Sequence, residues 1–493
     1  MILNDDRPSF KEKVAYGFGD FASSMFWKLF AVYLMFFYTD VFGMSAAAVG
    51  TMFLLVRIWD AANDPIMGII ADRTNTRWGK FRPYIVFGAI PFSLVGVLTF
   101  TTPDWTMEYK IAYAYVTYTL MMMVYTVVNV PYGSLLGVMS SHSEDRTTLA
   151  SFRMVFAFAG GIVSLAMVEP LLDYFSTMAL GEPDLQAGWM YTVMVYAILC
   201  SILFYFTFAW TKERVQPPKA QKNSLKSDLR NLAKNQHWFI LLGAALSTLI
   251  FNSVRDGAAV YYLKYYFEVS QVDIFGASFS LIATYLVIGQ AANIVGVMLA
   301  KPISAVIGKK NTFMYAMFIA AVLSFSVFYF TATQVWLILL SQVLISMCAG
   351  IIFPLLWSMY ADTADYSEYT NGRRSTGLIF SSASFAQKMG WTLGGAITGW
   401  TLAIYGYQAN VEQTESAKEG LRMMVSYLPG IGALLSGIFI YFYNLTDDLV
   451  EDINQKLRQG ISLKSTDLKG TDMSLDDAVS ITDENTGKAA SLT

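Results

Sequence analysis

The chain has 493 residues, 55% of them hydrophobic, 15% aromatic and only 14% charged, with a formal net charge of −3. Its apolar residues come in runs of about 20, the length that crosses a bilayer as a helix, and a soluble protein cannot hide that much apolar surface. Lipid admits only helices or closed barrels, and these runs are too continuous for barrel strands, so we expect an all-α membrane protein.

Cys200 and Cys348 both sit in apolar runs, which argues for inert thiols rather than a disulfide framework. His142 and His237 are isolated from each other and from any Ser-His or Cys-His constellation, so no enzyme, no cofactor and no nucleic-acid partner is expected. The N-terminus, Met1 to Arg7, lacks the basic region and short apolar core of a signal peptide. The first hydrophobic segment is expected to stay.

Taken in chain order, hydrophobic periodicity predicts twelve helices, near 14–40, 46–71, 82–102, 108–136, 149–172, 188–210, 238–267, 274–300, 311–331, 335–360, 377–405 and 425–444. In the first, Asp20 and Ser24 share a face at i and i+4, with Lys28 a turn further on. The second carries Arg57-Ile-Trp-Asp60-Ala-Ala-Asn63-Asp64-Pro65 inside an apolar stretch. A central Asp or Arg costs about 2.5 to 3.5 kcal/mol on insertion scales, so such residues face a bundle interior and have a task there. Asp60, Asn63 and Asp64 stand at i, i+3 and i+4 and put three oxygen-bearing side chains on one face. That is the pattern of a cation site, with Asp60 and Asp64 as candidate Na+ ligands.

The same helix leaves the membrane through Gly68-x3-Asp72-Arg73-x3-Arg77-x-Gly79-Lys80. This pattern resembles the loop after the second helix of major facilitator transporters. In the fourth helix Thr126 and Asn129 share a face that Gly133 continues, and Pro65 and Pro131 each free a carbonyl four residues earlier. Arg153 lies just inside the fifth helix, and Arg255-Asp256 fall mid-way along the seventh. Lys388 lies amid the eleventh with nothing in its own helix to neutralise it, so its expected partner is a carboxylate of the other half.

The loop at 211–237 holds seven basic residues, from Lys212 to Lys234, against Glu213 and Asp228, and contains Pro217-Pro218. With the basic stretches at 73–82 and 301–310 and Arg373-Arg374, it sets those faces and both termini in the cytoplasm. It also divides the helices into a six-helix half at 1–210 and another at 238–444. An echo of the first half's loop, Gly308-Lys309-Lys310, appears in the second, as expected of parallel repeats. The acidic tail at 445–493 has one amphipathic turn through Leu449, Ile453 and Leu457 and is otherwise expected to be disordered.

The chain resembles the glycoside-pentoside-hexuronide:cation symporter family (melibiose permease-like) of the major facilitator superfamily. The resemblance runs over about 1–445, through Tyr16-Gly-Phe-Gly-Asp20, Tyr38-Thr-Asp40, the Arg57 to Pro65 and Arg77 to Pro83 stretches, Asn129-Val-Pro131-Tyr-Gly-Ser134, Arg153 and Ala361 to Tyr369. It implies a major facilitator fold of two six-helix halves in a bacterial inner membrane. It also implies that Asp60, Asn63, Asp64 and Thr126 bind the coupling cation, while Asn129, Arg153 and Lys388 contact sugar or link the two sites. Asp20, Ser24, Arg255 and Phe353 complete the candidate substrate residues. Ser24 and Asn129 stand where the galactoside carriers of the family have aspartates, and Gly133 and Phe353 where they have tryptophans. A glycoside or oligosaccharide other than a galactoside is therefore expected, carried inward with Na+, or H+, by alternating access. The alternative is an anionic, hexuronide-like or lipid-like substrate, with Lys28, Arg153 and Arg255 as counter-charge. A channel or an integral-membrane enzyme would lack saturable uptake driven by a cation gradient.

Overall fold

Ser9 opens the first helix with a reciprocal cap, its hydroxyl accepting from Glu12 N while the Glu12 carboxylate accepts from Ser9 N. From there the chain is almost entirely helical. The computed structural model describes residues 7–458 apart from 141–142, 179–183, 215–234, 268, 275–276 and 372–375. In order these are α1 (Phe10–Phe36) with a π-helical turn (Phe37–Val41), α2 (Ala46–Arg73), α3 (Arg82–Thr99), α4 (Met107–Met139), α5 (Ser143–Met178) and α6 (Leu185–Trp210). Then come α7 (Gln236–Tyr265), a hairpin of β1 (Gln271–Ile274) and β2 (Ala277–Ser280), α8 (Leu281–Ile307), α9 (Lys309–Val327), α10 (Val335–Asn371) and α11 (Thr376–Ile404). The chain ends in α12 (Glu415–Val425), α13 (Tyr427–Tyr441) and α14 (Asp447–Arg458).

Among the described residues ten helices are long and apolar enough to cross a membrane, α12 and α13 counting together as one. Two further long helices are α2, with Arg57, Asp60 and Asp64 in its middle, and α11, which carries Gln387 and Lys388 among glycines, serines and threonines. Those two pack against each other. The polar cost of each is thus met by the other rather than by lipid.

Several boundaries differ from the sequence expectation. The eighth helix starts at Leu281 rather than near 274, because residues 271–280 pair as a hairpin and Ser280 caps the helix through Ala283 N. The twelfth, expected at 425–444, is α13, preceded across Ser426 by α12, which was not expected, and the fifth and tenth run longer than expected, to Met178 and Asn371. In the linker expected at 211–237, Thr211 to Arg214 pack back onto the first half and α7 already begins at Gln236. The amphipathic turn of the tail is a full helix, α14, with Val450 and Ile453 buried against α10. Most of the basic linker, His142, Glu182, Arg373-Arg374 and the tail beyond 458 lie outside the described residues.

The packing repeats after six helices. In the first half α1 packs on α5 and α6, α3 on α4 and α6, and α2 on α4; in the second α7 packs on α11 and α13, α9 on α10 and α13, and α8 on α10. The halves meet along α1 with α7, α2 with α11 and α5 with α8, a set that maps onto itself when the halves are exchanged. The same local device recurs in both. Gly79 and Gly308 have positive φ, 111° and 82°. Beyond the first, Glu213 accepts from the backbone N of Lys80, Phe81 and Arg82 at 2.7, 2.8 and 3.0 Å, holding a carboxylate at the start of α3. Beyond the second, Asp447 accepts from Lys309 N at 2.7 Å at the start of α9. Each acid follows the last membrane helix of its own half and ties it back to the third.

At one end the halves are bolted together. Asp40, in the π-helical turn, accepts from Tyr407 OH at 2.8 Å, from Lys264 Nζ at 3.3 Å and from Tyr265 OH, while Asn410 donates to its backbone carbonyl. Burial, then the Asp40 charge, pushes the Tyr407 hydroxyl's pKa up, so it remains a donor. Gly50 and Gly399 let α2 and α11 touch backbone to backbone near the same end. At the opposite end the ion pairs Arg214 with Glu12 and Lys309 with Asp362 each lie within one half.

A Cβ at Gly79 would stand 2.6 Å from the Glu213 carboxylate, and at Gly308 3.0 Å from that of Asp447. Gly79→Ala is therefore expected to destabilise the purified protein by about 1–2 kcal/mol, through φ strain and a displaced cap. Gly308→Ala should do the same to a smaller extent. Thermal unfolding in detergent measures both, and an unchanged melting temperature for Gly79→Ala would contradict the capping role.

Candidate functional site

The charged residues of α2 come together with Thr126 of α4 and Lys388 of α11. Lys388 Nζ lies 3.1 Å from Asp60 Oδ2 and also bonds Asp64 Oδ2. From the other side Thr126 Oγ1 stands 3.1 Å from Asp60 Oδ1 and 3.0 Å from Asp64 Oδ1, its hydroxyl donating between them. Arg57 NH1 is 3.8 Å from Asp60 Oδ2. One helical turn separates the two aspartates, so their carboxylates share one face and one pair of partners. Two carboxylates against one guanidinium and one ammonium leave the cluster formally neutral.

Exposure distinguishes the two acids. The Asp60 side chain is 2% exposed and that of Asp64 30%. Asp60 is thus the buried member of the cluster and Asp64 its solvent-facing one. An oxygen-only donor set of two carboxylates and a hydroxyl suits a hard cation or a proton.

Arg57 connects this cluster to a cavity at the interface of the halves. Its walls include Trp27 of α1, Arg57, Tyr118 of α4, and Trp391 and Thr392 of α11. Arg57 donates from Nε to Tyr118 OH at 3.2 Å and lies 4.7 Å from the centre of the Trp27 ring. Trp27 and Trp391 meet edge to face at 6.0 Å. Flat apolar rings beside a guanidinium and hydroxyls match a sugar, whose ring faces are C–H surfaces and whose rim is hydroxyl. Thr392, in this wall, donates to the Lys388 carbonyl at 2.7 Å, so the cavity wall and the cation cluster share a helical turn.

The other candidates fall elsewhere. Asn63 is half-buried with no hydrogen bond to a described residue. Asp20 and Arg153 pair with each other, Arg153 lying over the Tyr132 ring at 5.1 Å. Ser24, Asn129 and Phe353 line neither this cavity nor a second, polar one, although Asn129 Oδ1 is buried without a partner. The Arg255-Asp256 neighbours do not pair: Asp256 takes Lys28 at 3.2 Å, and Arg255 turns into the polar cavity. Trp27, Tyr118 and Trp391 escaped the sequence analysis because aromatic residues are common throughout the chain. Arg57, three residues before Asp60 on the same face, was the available signal.

Lys388→Ala is expected to destabilise the protein by about 2 kcal/mol, below the 3–5 of a fully buried pair because Asp64 reaches solvent. Lys388→Ala with Asp64→Asn should recover at least half of that loss, since Asp60 then keeps Arg57. Thermal unfolding of the four proteins in the cycle measures the coupling, and strictly additive losses would contradict the shared geometry.

Residues 15–447 match the family model described as MFS/sugar transport protein. The chain is 37% identical over 454 residues to the inner membrane symporter YicJ of Escherichia coli (strain K12), covering 92% of this chain and 95% of that one. It is 33% identical over 463 residues to an isoprimeverose transporter of Lactiplantibacillus pentosus, covering 93% and 94%. Among solved structures, a variant of the nucleoside transporter NupG aligns with a TM-score of 0.64 at 14% identity, over 88% of this chain and 98% of that one, a likeness of fold alone. With its repeated six-helix packing and a match spanning nearly all of its helices, the chain belongs to the MFS/sugar transport family, among the glycoside-pentoside-hexuronide:cation symporters of the inner membrane.

Proposed function

We propose that the protein imports a sugar, glycoside or oligosaccharide by symport with Na+, through alternating access of its two halves. The observation that carries this reading is Lys388 of the second half held between Asp60 and Asp64 of the first, beside an aromatic cavity at the same interface. Family membership and relatives named as symporters and as an isoprimeverose transporter support the substrate class.

In this arrangement the ammonium of Lys388 acts as a tethered cation. A free Na+ that takes its place between the carboxylates releases Lys388 toward the cavity one turn away, where it can donate to substrate hydroxyls. Cation binding then favours sugar binding, and sugar favours the cation by the same factor. A proton on Asp64 would release Lys388 in the same manner and is the competing choice of ion. Taken with cytoplasmic termini, the Asp40 network closes the outer end, so the arrangement is inward-facing. Of the three counter-charges an anionic substrate would use, Arg153 and Lys28 already hold carboxylates, whereas Arg255 does not.

Asp64→Cys removes one carboxylate at similar volume. In proteoliposomes it is expected to lose uphill accumulation of glycoside under an imposed Na+ gradient, while exchange of labelled for unlabelled substrate persists. Uphill transport retained by this variant would contradict the cation site. Asp40→Ala, which cuts the bonds to Lys264, Tyr265 and Tyr407, should raise the labelling of cavity-facing cysteines, introduced at Thr392, by a membrane-impermeant thiol reagent added outside. Unchanged labelling would contradict a closed outer end.

A further inference from the structure

On the opposite side of the α1 and α7 contact from the aromatic cavity, between α5 and α8, lies the polar cavity. Lys28 of α1, Arg255 and Asp256 of α7, Gln290 and Asn293 of α8, and Gln342 and Ser346 of α10 line it. Arg255 is 3% exposed, and its NH2 donates to Ser346 Oγ at 3.3 Å. Its Nε and NH1 are buried with no hydrogen-bond partner. The one carboxylate in the wall, Asp256, is engaged by Lys28 at 3.2 Å. The Arg255 guanidinium lies 5.2 Å over the Phe251 ring, but no carboxylate in the wall is left to balance it, so the cavity carries one positive charge without a counter-anion.

The surrounding amides extend the same demand. Gln342 Oε1 and Asn293 Oδ1 are buried without a partner. An amide can be turned end for end with little change in shape, which would present N–H groups to an anion held by Arg255. The close approach of α8 and α10 is built around this arrangement. A Cβ at Gly289 would stand 2.1 Å from Gln342 Nε2, so only glycine there lets the amide lie across α8.

We propose that this cavity binds one small monovalent anion, of halide or carboxylate size, through Arg255 and the amides of Gln290, Asn293 and Gln342. The free space inside it, about that of one water-sized group, excludes a whole glycoside. The anion has two sources, a free halide or the carboxylate of an acid sugar. The site is separate from the cation cluster and does not depend on the sugar-symport reading.

The test uses the full-length protein in detergent, brought into potassium MOPS and titrated at constant ionic strength with potassium bromide or potassium glucuronate while thermal unfolding is followed. Saturable stabilisation of about 2–4 °C is expected from at least one of these anions. It should be lost in Arg255→Gln and weakened in Gly289→Ala, which keeps every charge but displaces Gln342. A shift with bromide assigns a free-anion site, and a shift with glucuronate alone assigns the carboxylate of a substrate. No anion-dependent shift in the unmodified protein, or an equal shift in Arg255→Gln, would overturn the proposal. Na+-driven glycoside uptake by the unmodified protein, measured alongside, reports on the sugar reading independently.

Discussion

Two carboxylates one helical turn apart, Asp60 and Asp64, depend on one ammonium from the far half of the molecule, and this shared ion pairing constrains everything around it. Both α2 and α11 carry charge in the middle of a long helix, and each supplies what the other lacks. Breaking such a cluster exposes unpaired charge to a low dielectric, at a cost of several kcal/mol per ion. The interface between the halves is therefore held where transport needs it to be sensitive to the charge of what enters.

The internal repeat gives this interface its geometry. Because α2 with α11 and α5 with α8 exchange under the repeat, the α1 and α7 seam is flanked by two equivalent clefts. Sequence has made them unlike. One is lined by tryptophans and abuts the carboxylates, the other by amides and Arg255. The bonds at the Asp40 end join the two halves, while the capped helix starts beyond Gly79 and Gly308 tie each half together at the other end. Rigid halves with a polar seam can rock about a site near the middle of the bundle.

Much of this was legible in the sequence because charges in apolar runs are costly and hence informative. The spacing of Asp60 and Asp64 gave their common face, and the unneutralised Lys388 called for a carboxylate from the other half. The resemblance supplied Thr126. What escaped was whatever depends on which way a side chain turns. Arg255 and Asp256 are neighbours in the chain, yet about 100° apart around the helix, so they serve different partners. Asp20 and Arg153, both offered as substrate residues, satisfy each other across α1 and α5. The hairpin's second strand was read as the start of the eighth helix because Ile274 and Phe279 prolong the apolar run without marking its period. Trp27 and Trp391 carried no signal in a chain with 11 tryptophans.

The central claim is that Lys388 and the coupling ion compete for the same two carboxylates. The most direct measurement is the rate at which an amine-specific reagent modifies Lys388 in the purified protein, read by peptide mass spectrometry across a Na+ titration balanced with K+. The account predicts a saturable rise in that rate with Na+, absent when Asp64 is replaced by cysteine. A Lys388 reactivity indifferent to Na+ would contradict it.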